Sequence, residues 1–380
     1  MKRAPAPGAA AGPGHSRLLG LEILRFLSAL AILFWHNRHF SYLANQPQNF
    51  APENQPGYSV FFVLYEFGAY GVPIFWCISG FIFFWKYRTS IASRAVGAQA
   101  FLVLRFSRLY PLHLLTLLLV AVLQAAYFAR HHYYFVYQLN DLKHFLLQLL
   151  LASNWLSTAY SFNGPIWSIS VEVLIYGAFF LLLRYFSASW LLNIAIMALC
   201  VFAKLHSEAT LPVVDCLLYF YAGGLAAIAL RDLAPLQRRL LDILSLAFLV
   251  CAPLLMFASR LQQLPHFLFV ALLLYMPTLL YWIARDFRLA PAARRLVETA
   301  GNMSYSSYLL HFPVQLVVAL VYTGINRPIP LYNPLFFVCY VGSTLVLAYL
   351  AYRFVEMPAQ MWLRGRWLGR PPPGAANRNH

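Results

Sequence analysis

The chain has 380 residues, of which 61% are hydrophobic and only 11% charged, with a mean hydropathy of +0.63. That balance excludes a soluble globular domain and points to a polytopic helical membrane protein. A formal net charge of +16 would suggest nucleic acid for a soluble chain. Here the Lys and Arg residues gather in short segments between apolar runs, as the positive-inside rule requires, and no nucleic-acid partner is expected.

Residues 1–16, rich in Pro, Ala and Gly, read as a disordered cytoplasmic tail, and the first apolar run behind them as an uncleaved anchor. Apolar runs long enough to cross a bilayer then fall near 18–36, 58–84, 101–124, 165–186, 189–205, 212–230, 240–258, 264–284, 303–322 and 334–353. The piece 143–152, KHFLLQLLLA, is too short to cross about 30 Å of hydrocarbon and reads as re-entrant or interfacial. Basic clusters lie at 2–17, 86–108, 231–239, 285–295 and 353–370. Ten crossings put all of them on one side, whereas counting 143–152 as a span would put the later ones outside. The expected fold is therefore an all-α membrane protein of about ten transmembrane helices, both termini cytoplasmic, in one domain over 17–358. A basic, Pro-rich tail is expected over 359–380. The segments 37–57, 125–164 and 323–333 fall outside the membrane on the far side. The five cysteines all lie in apolar runs without CxxC spacing, so neither a disulfide framework nor a metal site is expected.

Ionisable residues inside such spans are costly and mark functional sites by default. The first span carries Glu22, Arg25 and His36. Glu22 and Arg25 are three apart and natural partners, and the eleven residues from Arg25 to His36 make about three turns, or roughly 16 Å on one helical face. His36 sits at the far end, where a water-filled cavity could reach it, and a histidine near neutral pKa suits a general base. The alternative is an interfacial histidine bonded to a neighbouring carbonyl. In the second span, Ser79-Gly80 is a small-residue site suited to close helix packing or a narrow ligand. Arg105 and Arg108 open the third span on one face, where guanidinium forks suit phosphates; for the nearby Lys86 and Arg94, ordinary anchoring is the favoured reading. The run from Pro165 to Glu172 places Trp167, Ser168, Ser170 and a carboxyl inside the fourth span, with Arg25 as a plausible partner for Glu172. His311 lies inside the ninth span as a further proton-handling candidate. Arg353 and Glu356 read as a structural interfacial pair.

These pieces, in this order, resemble the membrane-bound acyltransferase-3 family, the integral-membrane O-acyltransferases that modify bacterial surface glycans. The matching patterns are Glu22–Arg25–His36; an aromatic run ending at Ser79-Gly80-Phe81; Arg105, Arg108 and Pro111; Pro165 to Glu172; and SYSSYLLHFPV (304–314) followed by RFVEMP (353–358). The family more often has Asp at position 22 with a Gly soon after, and a second Glu after Glu172; here Ile23, Leu24 and Val173 stand in those places. The resemblance implies transfer of an acyl group, most often acetyl from acetyl-CoA as co-substrate, to a sugar hydroxyl of an extracytoplasmic polysaccharide or glycolipid at the bacterial inner membrane. In that scheme His36 is the base, with Arg25 and Glu172 in the catalytic set. Arg105, Arg108 and Ser79 hold acyl-CoA, and Glu22, His311, Trp167 and Ser170 are accessory. No permanently bound cofactor or metal is implied. The runner-up is a proton-coupled transporter or flippase using the same polar stripe, which would predict two repeated halves that the sequence lacks.

Overall fold

The computed structural model describes residues 18–206, 211–258, 267–285 and 287–369. The tail expected over 1–16 lies outside these residues, as does the far end of the second tail. Helices dominate, and the described strands are two short pieces, Tyr42–Leu43 and Gln46–Pro47, paired antiparallel in one loop.

Each of the ten expected spans coincides with helix, and among the described residues seven helical runs are long and apolar enough to cross a membrane. The first, α1 (Leu19–His36), ends in a 3-10 turn over Asn37–Ser41. The second is broken: α2 (Tyr58–Phe67) passes through a 3-10 turn at Gly68–Tyr70 into α3 (Gly71–Ala92). Gly68 lies at that break because its missing side chain lets the turn sit on the α1 backbone at Ala31. α4 (Ala98–His131) is longer than the hydropathy alone marks out. Its 34 residues rise about 51 Å, so it projects beyond the hydrocarbon.

The short piece forms α5 (Leu142–Leu149), capped by Asp141, whose carboxylate accepts the His144 N–H at 2.9 Å. Eight residues rise only about 12 Å, which is not a crossing. α6 (Ile166–Tyr185) and α8 (Pro212–Asp232) are full-length, while α7 (Trp190–His206) and α10 (Phe267–Ile283) are apolar but 17 residues each. Between them α9 (Pro235–Ala258) begins with a charged turn and is tied to α10 by the Asp242–Arg285 ion pair and by Tyr281, which donates to Asp242 at 2.6 Å. α11 (Pro291–Gly324) starts a dozen residues before its expected span. α12 (Pro334–Ala351) continues through one π-helical turn (352–356) into α13 (Met357–Trp367), so helix occupies the start of the stretch read as a tail.

The core is built on α3 and α8, the most extensively packed pair. Gly80 of α3 abuts the Phe220 backbone and Gly223 of α8 abuts the Cys77 backbone, a reciprocal approach that any side chain would block. Around this pair stand α1, α6, α7 and α10, with α11 against α1, α4 and α12, and α13 against α4. The three long loops converge at one end: Tyr332 accepts the Ala51 N–H at 2.8 Å and the Tyr137 ring lies 5.9 Å from His39. The opposite end, where Lys86, Arg105 and Arg108 lie, is termed the basic end below.

Candidate active site

Five helices enclose a cavity of about 180 Å³. From α1 come Glu22 and Arg25; from α4, Arg105 and Arg108; from α6, Ser168 and Glu172. α3 contributes residues from Val72 to Lys86, and α11 contributes Ser304, Tyr305 and Tyr308. The α3 lining alone rises about 21 Å, against about 30 Å of hydrocarbon, so the cavity reaches most of the way through.

The basic end is its mouth. Arg25 Nη1 donates to Glu22 Oε2 at 3.0 Å, the pairing expected from their spacing. Gly301 of α11 gives the Glu22 side chain room at this crossing. Arg105 lies over the Phe83 ring at 4.8 Å and donates to the Tyr87 hydroxyl at 2.7 Å, while its Nε is buried without an acceptor. Arg108 makes no hydrogen bond or ion pair among the described residues. Lys86 is exposed at the rim. Four cations thus face two carboxylates, leaving the mouth positive.

Glu172 lies deeper, facing the hydroxyls of Ser79 and Tyr176, which are 3.1 Å apart. The Tyr176 ring stacks on Phe83 at 4.2 Å, so Phe83 is held between Tyr176 and Arg105. The expected Arg25–Glu172 pair is not formed: Arg25 is held by Glu22, one turn back on its own helix, which is the shorter reach. Ser170 and Trp167 do not line the cavity. Ser170 accepts the Asn154 N–H at 3.3 Å, its carbonyl accepts the Trp155 indole N–H at 2.8 Å, and Trp167 packs edge-on to Trp76. Ser170 thereby fixes loop 150–165 to α6, and Trp167 meets the loop at Tyr160, 5.9 Å away. The Arg353–Glu356 pair is also absent. The π-helical turn buries Glu356, which accepts the Ser306 hydroxyl, and leaves Arg353 exposed.

At the loop end the cavity stops at Ser168 and Tyr308, whose hydroxyls are hydrogen-bonded at 2.8 Å. Beyond them lies a separate histidine cluster. The Tyr308 ring is 5.9 Å from His311, and His36 lies 4.6 Å from both His311 and His39. His36 Nδ1 is 2.9 Å from the Ile32 carbonyl. A carbonyl only accepts, so Nδ1 carries the hydrogen and Nε2 keeps its lone pair. Gln315 organises the pair: its amide nitrogen donates to the His36 carbonyl at 2.7 Å, so its oxygen accepts from His39 Nδ1 at 3.1 Å. His311 is fully buried, and neither ring nitrogen has a hydrogen-bond partner among the described residues. No group of described residues is arranged to hold a metal ion.

The structure therefore brings Glu22, Arg25, Ser79, Arg105, Arg108 and Glu172 around one cavity. It sets His36 and His311 together beyond the cavity's blind end. Four contributors escaped the sequence reading. His39 follows His36 by three residues and Gln315 follows His311 by four, so helical spacing alone marks both as neighbours. Tyr308 precedes His311 by the same logic. Lys86 was indistinguishable from an ordinary anchor.

An acyltransferase-3 family model, described as an acyltransferase domain, matches residues 18–353. The chain is also similar to the acyltransferase MdmB of Streptomyces mycarofaciens, 27% identical over an alignment of 178 residues that covers 44% of this chain and 39% of that protein. The chain thus spans well under half the length of that relative. No solved structure matches.

Proposed function

Because the chain belongs to the acyltransferase-3 family, whose model covers its helices from α1 to α12 over residues 18 to 353, we propose that it moves an acyl group across the bilayer. The donor is acyl-CoA, most simply acetyl-CoA, entering from the cytoplasm, and the acceptor is a sugar hydroxyl of an extracytoplasmic polysaccharide or glycolipid. The protein then sits in the bacterial inner membrane with both termini and the basic clusters inside, consistent with where its cations gather.

One observation carries this reading: a cavity positive at its basic mouth runs about 21 Å inward and stops at Tyr308, whose ring lies 5.9 Å from His311, itself 4.6 Å from His36 with its free Nε2. Phosphates suit Arg105, Arg108 and Lys86 at the mouth, and the apolar and hydroxyl lining beyond suits an extended, uncharged thioester arm. His36 Nε2 takes the proton of the acceptor hydroxyl as its oxygen attacks the thioester carbonyl carbon. The C–S bond breaks, the ester leaves with the acceptor, and the CoA thiolate takes up a proton. Arg25, about 16 Å from His36 along α1, is a donor-positioning residue in this scheme. It is too distant to stabilise an oxyanion formed beside His36. Glu172, with Ser79 and Tyr176, fixes the middle of the cavity.

The deciding experiment compares ester-linked acyl groups on surface polysaccharide from wild-type and deletion strains, with the labelled acyl group supplied as acyl-CoA to membrane vesicles. Loss of the label in the deletion strain is expected; an unchanged pattern overturns the proposal. Arg105→Gln is expected to raise the donor KM about tenfold with kcat nearly unchanged, because it removes a charged contact made equally in ground and transition states. An unchanged donor dependence removes Arg105 from the site.

A further inference from the structure

α13 lies beyond residue 353, where the family match ends, and packs against α4. Its Trp362 and Trp367 are 67% and 60% exposed, as expected of a helix riding at the membrane interface. Arg364 instead turns towards α4. Its Nε donates to Ser107 Oγ at 3.1 Å and its Nη2 to Gln360 Oε1 at 2.9 Å. Ser107 lies between Arg105 and Arg108 in the chain, and all three guanidiniums are within electrostatic reach of one another.

Arginines near helix ends differ in how they are paired: Arg231 and Arg238 donate to backbone carbonyls, whereas three others meet a carboxylate. Arg88 pairs with Asp232, Arg285 with Asp242 and Arg294 with Glu298. Arg105, Arg108 and Arg364 form no ion pair among the described residues. Their protein partners are neutral: the Tyr87 hydroxyl, the Ser107 hydroxyl and the Gln360 amide. Three half-buried like charges with no direct carboxylate partner, reached by Glu172 and Glu356 only through space, leave net positive charge for an anion from outside the chain. An arginine serving only as a membrane anchor needs no serine to fix its Nε.

We propose that Arg364 is a phosphate-binding residue of the donor site, supplied by α13 from outside the matched segment. With Arg105 and Arg108 it forms a three-guanidinium clamp on the phosphates of a nucleotide-linked thioester. The inference rests on the reading that the donor enters at this mouth. A lipid headgroup presents the same phosphate chemistry, so the test separates the two sources.

Coenzyme A binding to the full chain is measured by calorimetry in nanodiscs of phosphatidylcholine alone and of phosphatidylcholine with phosphatidylglycerol. Arg364→Gln is expected to weaken binding about tenfold in both, Arg364→Lys to weaken it less, and Arg105→Gln to weaken it comparably. Ser107→Ala keeps the charge and releases its anchor, and is expected to weaken binding by about threefold. It also carries the test should Arg364→Gln fail to accumulate. If Arg105→Gln weakens binding while the Arg364 and Ser107 variants do not, Arg364 is no donor ligand and the proposed function stands. If none of these variants changes binding, the reading of the mouth as the donor entrance falls as well. A loss seen only in anionic nanodiscs assigns Arg364 to lipid and overturns the proposal.

Discussion

A His36→Ala protein is expected to accumulate in the membrane at the wild-type level and to transfer acyl groups at least 100-fold more slowly. The size follows from the usual contribution of a positioned general base, about 10²–10⁴-fold. Normal accumulation follows from the way His36 is held. Its one side-chain hydrogen bond runs back to Ile32 within its own helix, and the Gln315 amide grips the His36 carbonyl, which alanine retains. The substitution thus removes a lone pair and the half-buried ring's contacts with Trp35, His39 and His311, but no side-chain hydrogen bond to another helix. Gln at this position offers an amide of similar length but no basic nitrogen, and is expected to be as inactive as Ala. Acylation of the host glycan, normalised to membrane protein by immunoblot, checks both variants. Full acylation by either one removes His36 from the chemistry.

The largest structural effect is expected at the α3–α8 crossing. A methyl group added at Gly80 runs into the Phe220 backbone, and no flexible side chain is there to yield. The two helices must separate along the most extensive contact in the protein. Overpacking ordinarily costs about 1–3 kcal/mol, and displacing backbone belongs at the upper end or above it. Gly80→Ala is therefore expected to lower the detergent-solubilised melting temperature by several degrees and to reduce accumulation. Gly177→Ala on α6 meets nothing within 4 Å and serves as the control. Equal melting temperatures for the two variants would show that the crossing yields to a methyl group without cost.

Hydropathy located every helix that corresponds to an expected span, since lipid leaves a spanning backbone little choice but to bond internally. What it missed were events governed by packing. The break at Gly68–Tyr70 depends on contact with α1, and the extensions of α4, α11 and α13 are polar enough to lie outside the apolar window. The site shows the same division. Glu22 with Arg25, and Arg105 with Arg108, were legible because helical spacing fixes neighbours within one helix. Partners across helices were not. Arg25 and Glu172 share the cavity without pairing, and Glu356 faces Ser306 where Arg353 seemed its natural mate. The separation of His36 from the cavity depends on where Tyr308 of a distant helix comes to rest, and no local pattern records that.

The hydroxyl bond between Ser168 and Tyr308 has a consequence for the membrane as well as for the reaction. A wet passage from the basic mouth to the histidines would let ions run down the transmembrane voltage, which is worth about 2.3 kcal/mol per charge for each 100 mV. The cavity already covers most of that distance, so almost the whole electrical resistance of this path falls across one tyrosine ring and its serine partner. Tyr308 is in effect the insulation, and under the proposed function each opening that lets the donor meet its acceptor must be brief or fully plugged by the donor itself.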